Sequence, residues 1–295
     1  VQNKTIANVI GARRKVEAAD DLDESFFPSL LRNFRRHALE SPNAWPITDG
    51  RKKKFRLMVA NSPDLRERAY RLGYRVYRKM GYIEADERAM LCSRFDAHPD
   101  TFVLLVTDET GEDVATLTLV FDTETEGLPL DDIFFLEADK LRARNRRSAE
   151  IVRLVVAEKV GGGREVLLHL FNFAYIFAKT VKQSDGFLIT VNPRHAPYYV
   201  RSLGFQSSSD VKPCPKVRGA PAVLLHLDFA VAVERVVREA GLPPQAGAKS
   251  SLYPFLYSPE AEPFIAAFLA NRHRPMGCEE AEHLGLLEPA LPGLP

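Results

Sequence analysis

The sequence predicts a mixed α/β (α+β) fold, a twisted mixed sheet with helices on both faces and extensions at each end. Three observations carry this expectation. Short β-branched apolar runs alternate with segments of three-to-four periodicity, two of those runs are joined by a tight acidic turn, and a glycine run separates a strand from a long helix. The chain of 295 residues is 45% hydrophobic and 27% charged, which suits a globular protein with a core to bury. It divides into an N-terminal helical extension over 1–54, a central domain over 55–240, and a linker with a C-terminal helical tail over 241–295.

In the extension, a polar start and the basic triplet Arg13-Arg14-Lys15 lead to an amphipathic helix near Phe26 to Leu39, with Leu30, Leu31 and Phe34 on one side. Ser41 to Gly50 carries two prolines and reads as turn. Phe55 to Ala60 reads as a strand. Ser62-Pro63-Asp64 then opens a helix with a capping serine, an early proline and an early acid. Leu65, Ala69, Leu72, Val76 and Met80 line that helix, and Gly81 ends it.

Thr101 to Thr107 and Val114 to Phe121 form a hairpin around Asp108 to Asp113. An acidic loop with a short helix follows over Asp122 to Leu141, and then a buried strand, Ile151 to Ala157. After Gly161-Gly162-Gly163 a long helix is expected from about Arg164 to Lys182, with Leu167, Leu168, Phe171, Tyr175 and Ala178 on one face. Strand Phe187 to Val191, helix Ala196 to Leu203, strand Val223 to Asp228 and helix Ala230 to Ala240 complete the domain. The tail carries a helix over Glu260 to Asn271 and no clear element from Gly277 on.

The formal net charge of +1 gives no global case for nucleic acid or an anionic membrane as partner. No apolar run approaches the roughly 20 residues that span a bilayer, so no integral membrane segment is expected. The start lacks the basic-then-apolar layout of a secretory signal. Cys92, Cys214 and Cys278 are odd in number and widely spaced, which fits a reducing, cytoplasmic setting. Cys214 with His226, or Cys278 with His283, makes no four-ligand pattern, so no metal is expected.

The unit with the most chemistry is strand, glycines, helix. Backbone amides around Gly161, Gly162 and Gly163, a helix start and the charge of Arg164 suit a phosphate or pyrophosphate, although a plain strand-to-helix connection has the same form. Glu150 and Arg153 on the strand before it are candidates for deprotonating an amine and gripping a carboxylate. Strict alternation separates them to opposite faces; a local bulge brings them together. A structural ion pair is the alternative. Pro193-Arg194-His195-Ala196-Pro197-Tyr198-Tyr199 forms a turn and short helix, with Tyr199 a candidate proton donor to a thiolate and His195 a base or a turn-shaping residue.

These residues resemble the GNAT superfamily: Gly161-Gly162-Gly163-Arg164 matches its pyrophosphate loop and Tyr199 to Phe205 its aromatic-to-Gly-Phe ending. The nearer likeness is to long-chain N-acyl amino acid synthases and acyl-homoserine-lactone autoinducer synthases, through Glu150-x-x-Arg153, Phe95-Asp96, and Pro193-x-His195 followed by Tyr199 and Gly204-Phe205. It covers about residues 55–230. It departs at Gly73, where those synthases carry an arginine, with Arg71 or Arg75 as substitutes, and at Tyr199, one step from the usual acid tyrosine.

The resemblance implies transfer of a long-chain acyl group from an acyl carrier protein thioester to the amine of an amino acid or similar small molecule, with an acyl-phosphopantetheine, on acyl carrier protein or coenzyme A, as the co-substrate. No bound cofactor is implied. Glu150, Tyr199 and His195 would be catalytic; Val155, Ala157, Gly161 to Gly163 and Arg164 would hold the donor; Arg153, Asp96 and Arg75 would hold the acceptor. Arg142, Arg144, Arg146, Arg147 and Arg164 would dock an acidic carrier protein. An acetyl-coenzyme A-dependent acetyltransferase and a non-catalytic binding module of the same fold are the alternatives.

Overall fold

The computed structural model describes residues 44–48, 54–158, 162–242 and 251–287. The helix expected near Phe26 to Leu39, the triplet Arg13-Arg14-Lys15 and Gly161 lie outside the described residues. Strands β1 (Ala44–Thr48), β2 (Lys54–Val59), β3 (Phe102–Asp108), β4 (Asp113–Phe121) and β5 (Ser148–Val156) each pair antiparallel with the next. Strand β6 (Gly186–Val191) then pairs parallel with β5. Strands β7 (Gln206–Ser207) and β8 (Lys212–Cys214) both lie against β9 (Ala220–Asp228), which pairs antiparallel with β6. The result is one open, mostly antiparallel mixed sheet.

The hairpin and first helix follow from local chemistry. The Asp108 carboxylate accepts from the backbone N–H of Thr110 and Glu112 at 2.9 and 3.1 Å, and Gly111 takes a φ of +89° that favours glycine. Helix α1 (Pro63–Lys79) is capped by Ser62, whose hydroxyl accepts from the Leu65 N–H at 3.4 Å. Helix α2 (Asp131–Arg142) precedes β5, and α3 (Gly163–Ile176) starts from Gly162 at φ +90°. A π-helical turn, Phe177–Val181, prolongs α3 to the expected length. Helices α4 (Ala196–Leu203), α5 (Phe229–Glu239), α6 (Glu262–Arg272) and α7 (Cys278–His283) follow.

Two faces are covered, as expected. Ile151, Ile189 and Leu225 pack with α3, α5 and α6 on one side, where Phe102 stacks on Phe177 with ring centroids 3.7 Å apart. On the other, Val120, Leu188 and Leu224 pack with Phe134 and Ala138 of α2, while Val103, Leu105 and Val155 pack with Ala69 and Leu72 of α1. No described helix is long and apolar enough to cross a membrane.

Besides the short strands β7 and β8, two elements differ from expectation. Ala44–Thr48, read as part of a turn segment, is a strand that sets Ile47 opposite Phe55. Its Pro46 has no N–H to give a ladder, and β1 tolerates it because it is the edge of the sheet. The second is α7, a helix of six residues, too short to show a periodicity; it is fixed by tertiary contacts of Ala281 and Leu284, both buried.

Candidate active site

Strands β5 and β6 part company halfway. Their parallel register runs from Ser148 opposite Gly186 to Ile151 opposite Ile189 and stops, although β5 continues to Val156 and β6 to Val191. Beyond that point β6 stays paired with β9 and β5 with β4, so the two halves of the sheet part between them. A bulge accompanies the departure. Thr118 faces Val152 and Thr116 faces Val155, so β5 holds one residue more than β4 across that step. The extra residue is Arg153, at a φ of +49° that a non-glycine residue rarely takes.

The gap opens into a cavity of about 1180 Å³. It reaches through the sheet: Val152 and Arg153 line it from the α1–α2 side, and Leu154, Ile189 and Tyr199 from the α3 side. Backbone directions alternate along a strand. The Ala157 N–H donates to the Val114 carbonyl at 2.8 Å, so Val155 and Ala157 turn their amides to β4, and Leu154 and Val156 turn theirs to the gap. Of the expected donor-holding residues, Val155 and Ala157 thus direct their amides to β4, the Ala157 amide being engaged there, while Leu154 and Val156 face the open side.

Glu150 sits in mid-sheet, between Val120 and Leu188 in register, and is 3% exposed. Its carboxylate accepts from the Leu130 N–H at 2.8 Å. Burial pushes its pKa up to about 8, against the N–H of Leu130 and the charge of Lys216, which pull it down. The bulge places Arg153 on the same face as Glu150. There Arg153 makes an ion pair with Asp96, and its guanidinium lies 5.6 Å from the Tyr70 ring centroid. Burial opposes the arginine's charge, and the Asp96 carboxylate, together with Tyr70, Cys92 and Tyr77, outweighs it and raises the pKa. The Nε of Arg153 is buried without a partner among the described residues, an orphan donor beside the cavity.

Both oxygens of Asp96 are engaged within the protein. Its Oδ1 faces Arg153, and its Oδ2 accepts from the Ser93 N–H at 2.7 Å and the Ser93 hydroxyl at 3.2 Å. It holds Arg153 in place rather than lining the cavity. Arg75 lines the rim and is exposed.

Tyr199 packs edge-on against Phe171 and Phe205, each at 6.0 Å, and burial pushes its pKa up to about 12, so the hydroxyl keeps its proton near neutrality. His195 is exposed at the mouth. Its Nε2 accepts from Arg194 Nε at 3.0 Å; burial, helped by the Arg194 charge, lowers its pKa and keeps the ring neutral. It stands at the start of α4 without capping the helix through its side chain. Arg194 also donates to the Tyr82 hydroxyl at 3.2 Å.

Gly162 and Gly163 begin α3 just behind β5, a Cβ on Gly163 lying 3.5 Å from Val156. With Arg164, whose guanidinium lies 5.4 Å from the Phe255 ring centroid, they stand beside the cavity rather than in its wall. The other basic cluster is spent differently. Arg142 pairs with Asp122 and Asp131, and Arg146 with Asp228. Both precede Ser148, the end of β5 remote from the gap, so they do not face its mouth.

Sequence reasoning missed Thr190. Thr190 lines the cavity with a buried hydroxyl that has no partner among the described residues, and Tyr77 lines it too, beside Tyr82, with 5.8 Å between ring centroids. The only signal for Thr190 was a polar residue inside an otherwise apolar strand. Among the described residues no group of three or more His, Cys, Asp or Glu could hold a metal ion.

Comparison with known proteins agrees with this geometry. The family model "N-acyl amino acid synthase FeeM" matches residues 68–228. No curated protein sequence matches the chain. Among solved structures, FeeM, an N-acyl amino acid synthase from uncultured soil microbes, is 23% identical with a TM-score of 0.52, over 61% of this chain and 93% of that one. The acyl-homoserine-lactone synthase MesI, described as CoA-dependent, is 20% identical at a TM-score of 0.43 over 61% and 89%. TofI, in a ternary complex with an inhibitor and MTA, is 13% identical at 0.47 over 61% and 96%. The matched segment runs from α1 to the end of β9 and contains the bulge, the gap and both walls of the cavity, and on that match this chain belongs to the FeeM N-acyl amino acid synthase family and is an acyltransferase.

Proposed function

We propose that the chain transfers a long-chain acyl group from an acyl carrier protein thioester to the amine of an amino acid. The observation that supports this reading best is the parting of β5 and β6, which leaves the amides of Leu154 and Val156 facing an open cavity. A pantetheine arm is a chain of amides that can add to such an edge as a strand would.

In this reading the acceptor's carboxylate meets the orphan Nε of Arg153, and its neutral amine attacks the thioester carbonyl. The tetrahedral oxyanion is stabilised by the Leu154 and Val156 amides, fixed donors that need no reorganisation. Glu150 takes the amine proton, directly or through water, and Tyr199 gives its proton to the leaving thiolate. The products are an amide and a free thiol. His195, neutral and held by Arg194, shapes the mouth. Gly162, Gly163 and Arg164 offer amides, a helix N-terminus and a charge to the phosphate of phosphopantetheine. An acidic carrier then docks around Arg164 rather than Arg142 and Arg146, with affinity that weakens as salt screens the charges.

The test offers the purified protein long-chain acyl carrier protein, long-chain acyl-coenzyme A and acetyl-coenzyme A, each with mixed amino acids. Thiol release and N-acyl product should be greatest with the first. A preference for acetyl-coenzyme A would replace the donor in this reading, and no turnover with any amino acid would remove the acceptor.

A further inference from the structure

We infer that the C-terminal helix α7, which lies beyond the segment matched by the family, is a working part of the acceptor site, and that Arg88 is the positioning residue through which it acts. The inference rests on the proposed function for its kinetic consequence and on geometry alone for the tether.

The wall of the cavity on the α1 side is built by Leu72 and Val76 of the helix and by Tyr82, Leu91 and Cys92 of the segment that follows it. That segment, 81–92, has no helix or strand of its own. A stretch of backbone that supplies a wall without a ladder must be held by other bonds. Its inner side is tied to α1: Arg78 donates to the Ile83 carbonyl at 2.9 Å, the Asp86 N–H donates to the Tyr74 hydroxyl at 2.9 Å, and the Leu91 N–H donates to the Tyr70 carbonyl at 3.1 Å. Ala89, two residues before Leu91, takes a φ of +50°, a conformation that persists only where neighbouring contacts impose it.

The outer tie runs to α7. Arg88 Nη1 donates to the Leu284 carbonyl at 2.8 Å, a charged donor on one of the carbonyls that a helix end leaves unsatisfied. Leu284 itself is an anchor, 3% exposed and packed with Ala69, Leu72 and Val103. Helix α7 is held from below by Arg66, whose Nε donates to Glu280 at 2.7 Å and whose Nη1 donates to the carbonyls of Ala60 and Arg274, each at 3.2 Å. The chain also leaves room for the tie. Gly285 has a φ of +64°, and a Cβ there would come within 2.9 Å of Arg88 Nη1. A path of bonds therefore joins the buried floor under α1, through Arg66, Glu280, Leu284 and Arg88, to the wall that carries Leu91 and Cys92.

The experiment compares the full chain with R88M, which keeps the aliphatic stem and removes the donor, and with R88K, which restores a charged donor. Two measurements are made on each: hydrogen exchange of segment 81–92 without substrate, and initial rates with donor and acceptor varied separately. R88M should exchange faster at 81–92 while α3 and α6 keep their protection. Its KM for the amino acid should rise roughly fivefold, equivalent to about 1 kcal/mol for one hydrogen bond, with the donor KM and kcat within twofold. R88K should recover most of the acceptor KM. Unchanged exchange at 81–92 in R88M overturns the tether, and faster exchange with an unchanged acceptor KM overturns its role at the site. If the wild-type chain acylates no amino acid, the proposed function falls while the exchange result alone still decides the tether.

Discussion

Glu150 shows how a residue's surroundings set its task. A carboxyl in mid-sheet with one N–H for company holds its proton until about pH 8. A base must be ionised to act, so kcat/KM should rise as pH climbs through that region, and E150Q should be slower with that inflection gone. A rise of unchanged shape in E150Q would take Glu150 out of the mechanism. The same shift acts on stability with a definite sign. The folded pKa lies above the unfolded value, so this contribution is complete below about pH 4.5 and is lost as pH rises towards 8. The Glu150-x-x-Arg153 spacing was legible as chemistry; that both side chains reach one face was not. It depends on a bulge against β4 at the Thr118–Thr116 step, a segment distant in sequence, and nothing within Glu150 to Arg153 fixes it.

Helices and strands with their own periodicity or caps were readable: α1 from Ser62 and Pro63, the β3–β4 hairpin from its aspartates, and α4 from Pro197 to Gly204. Elements defined by partners were not. Strand β1 exists because Trp45 and Ile47 meet β2, and the gap exists because β5 leaves β6, a relation between segments separated by the whole of α3. The turn that carries Asp96 joins the two kinds. Its capping geometry with Ser93 is local, but its purpose is the distant ion pair with Arg153. Breaking one side of a buried pair leaves the other charge uncompensated, so D96N should lose roughly 3 kcal/mol in denaturant unfolding. A loss below about 0.5 kcal/mol would mean that Arg153 is held by Tyr70 and packing instead.

Seen whole, the sheet is the divider of the molecule. Its α3 face is filled with aromatic rings, among them Trp45 against Phe173 and Phe268 at 5.3 and 5.2 Å, while its α1–α2 face carries the acid, the arginine and the wall tied to α7. The residues beyond β9 belong to both halves, α6 on the first and α7 on the second.

The passage through the sheet at the β5–β6 parting has a consequence for reaction order. Cys92, the thiol nearest Arg153 on the cavity wall, is made a weaker nucleophile by burial, which raises its pKa. In the proposed reaction the amine attacks the thioester directly, with no acyl group parked on Cys92, so donor and acceptor are present together. Double-reciprocal plots at several fixed acceptor concentrations should then intersect; a family of parallel lines would reveal an acyl-enzyme, and with it a nucleophile in the channel.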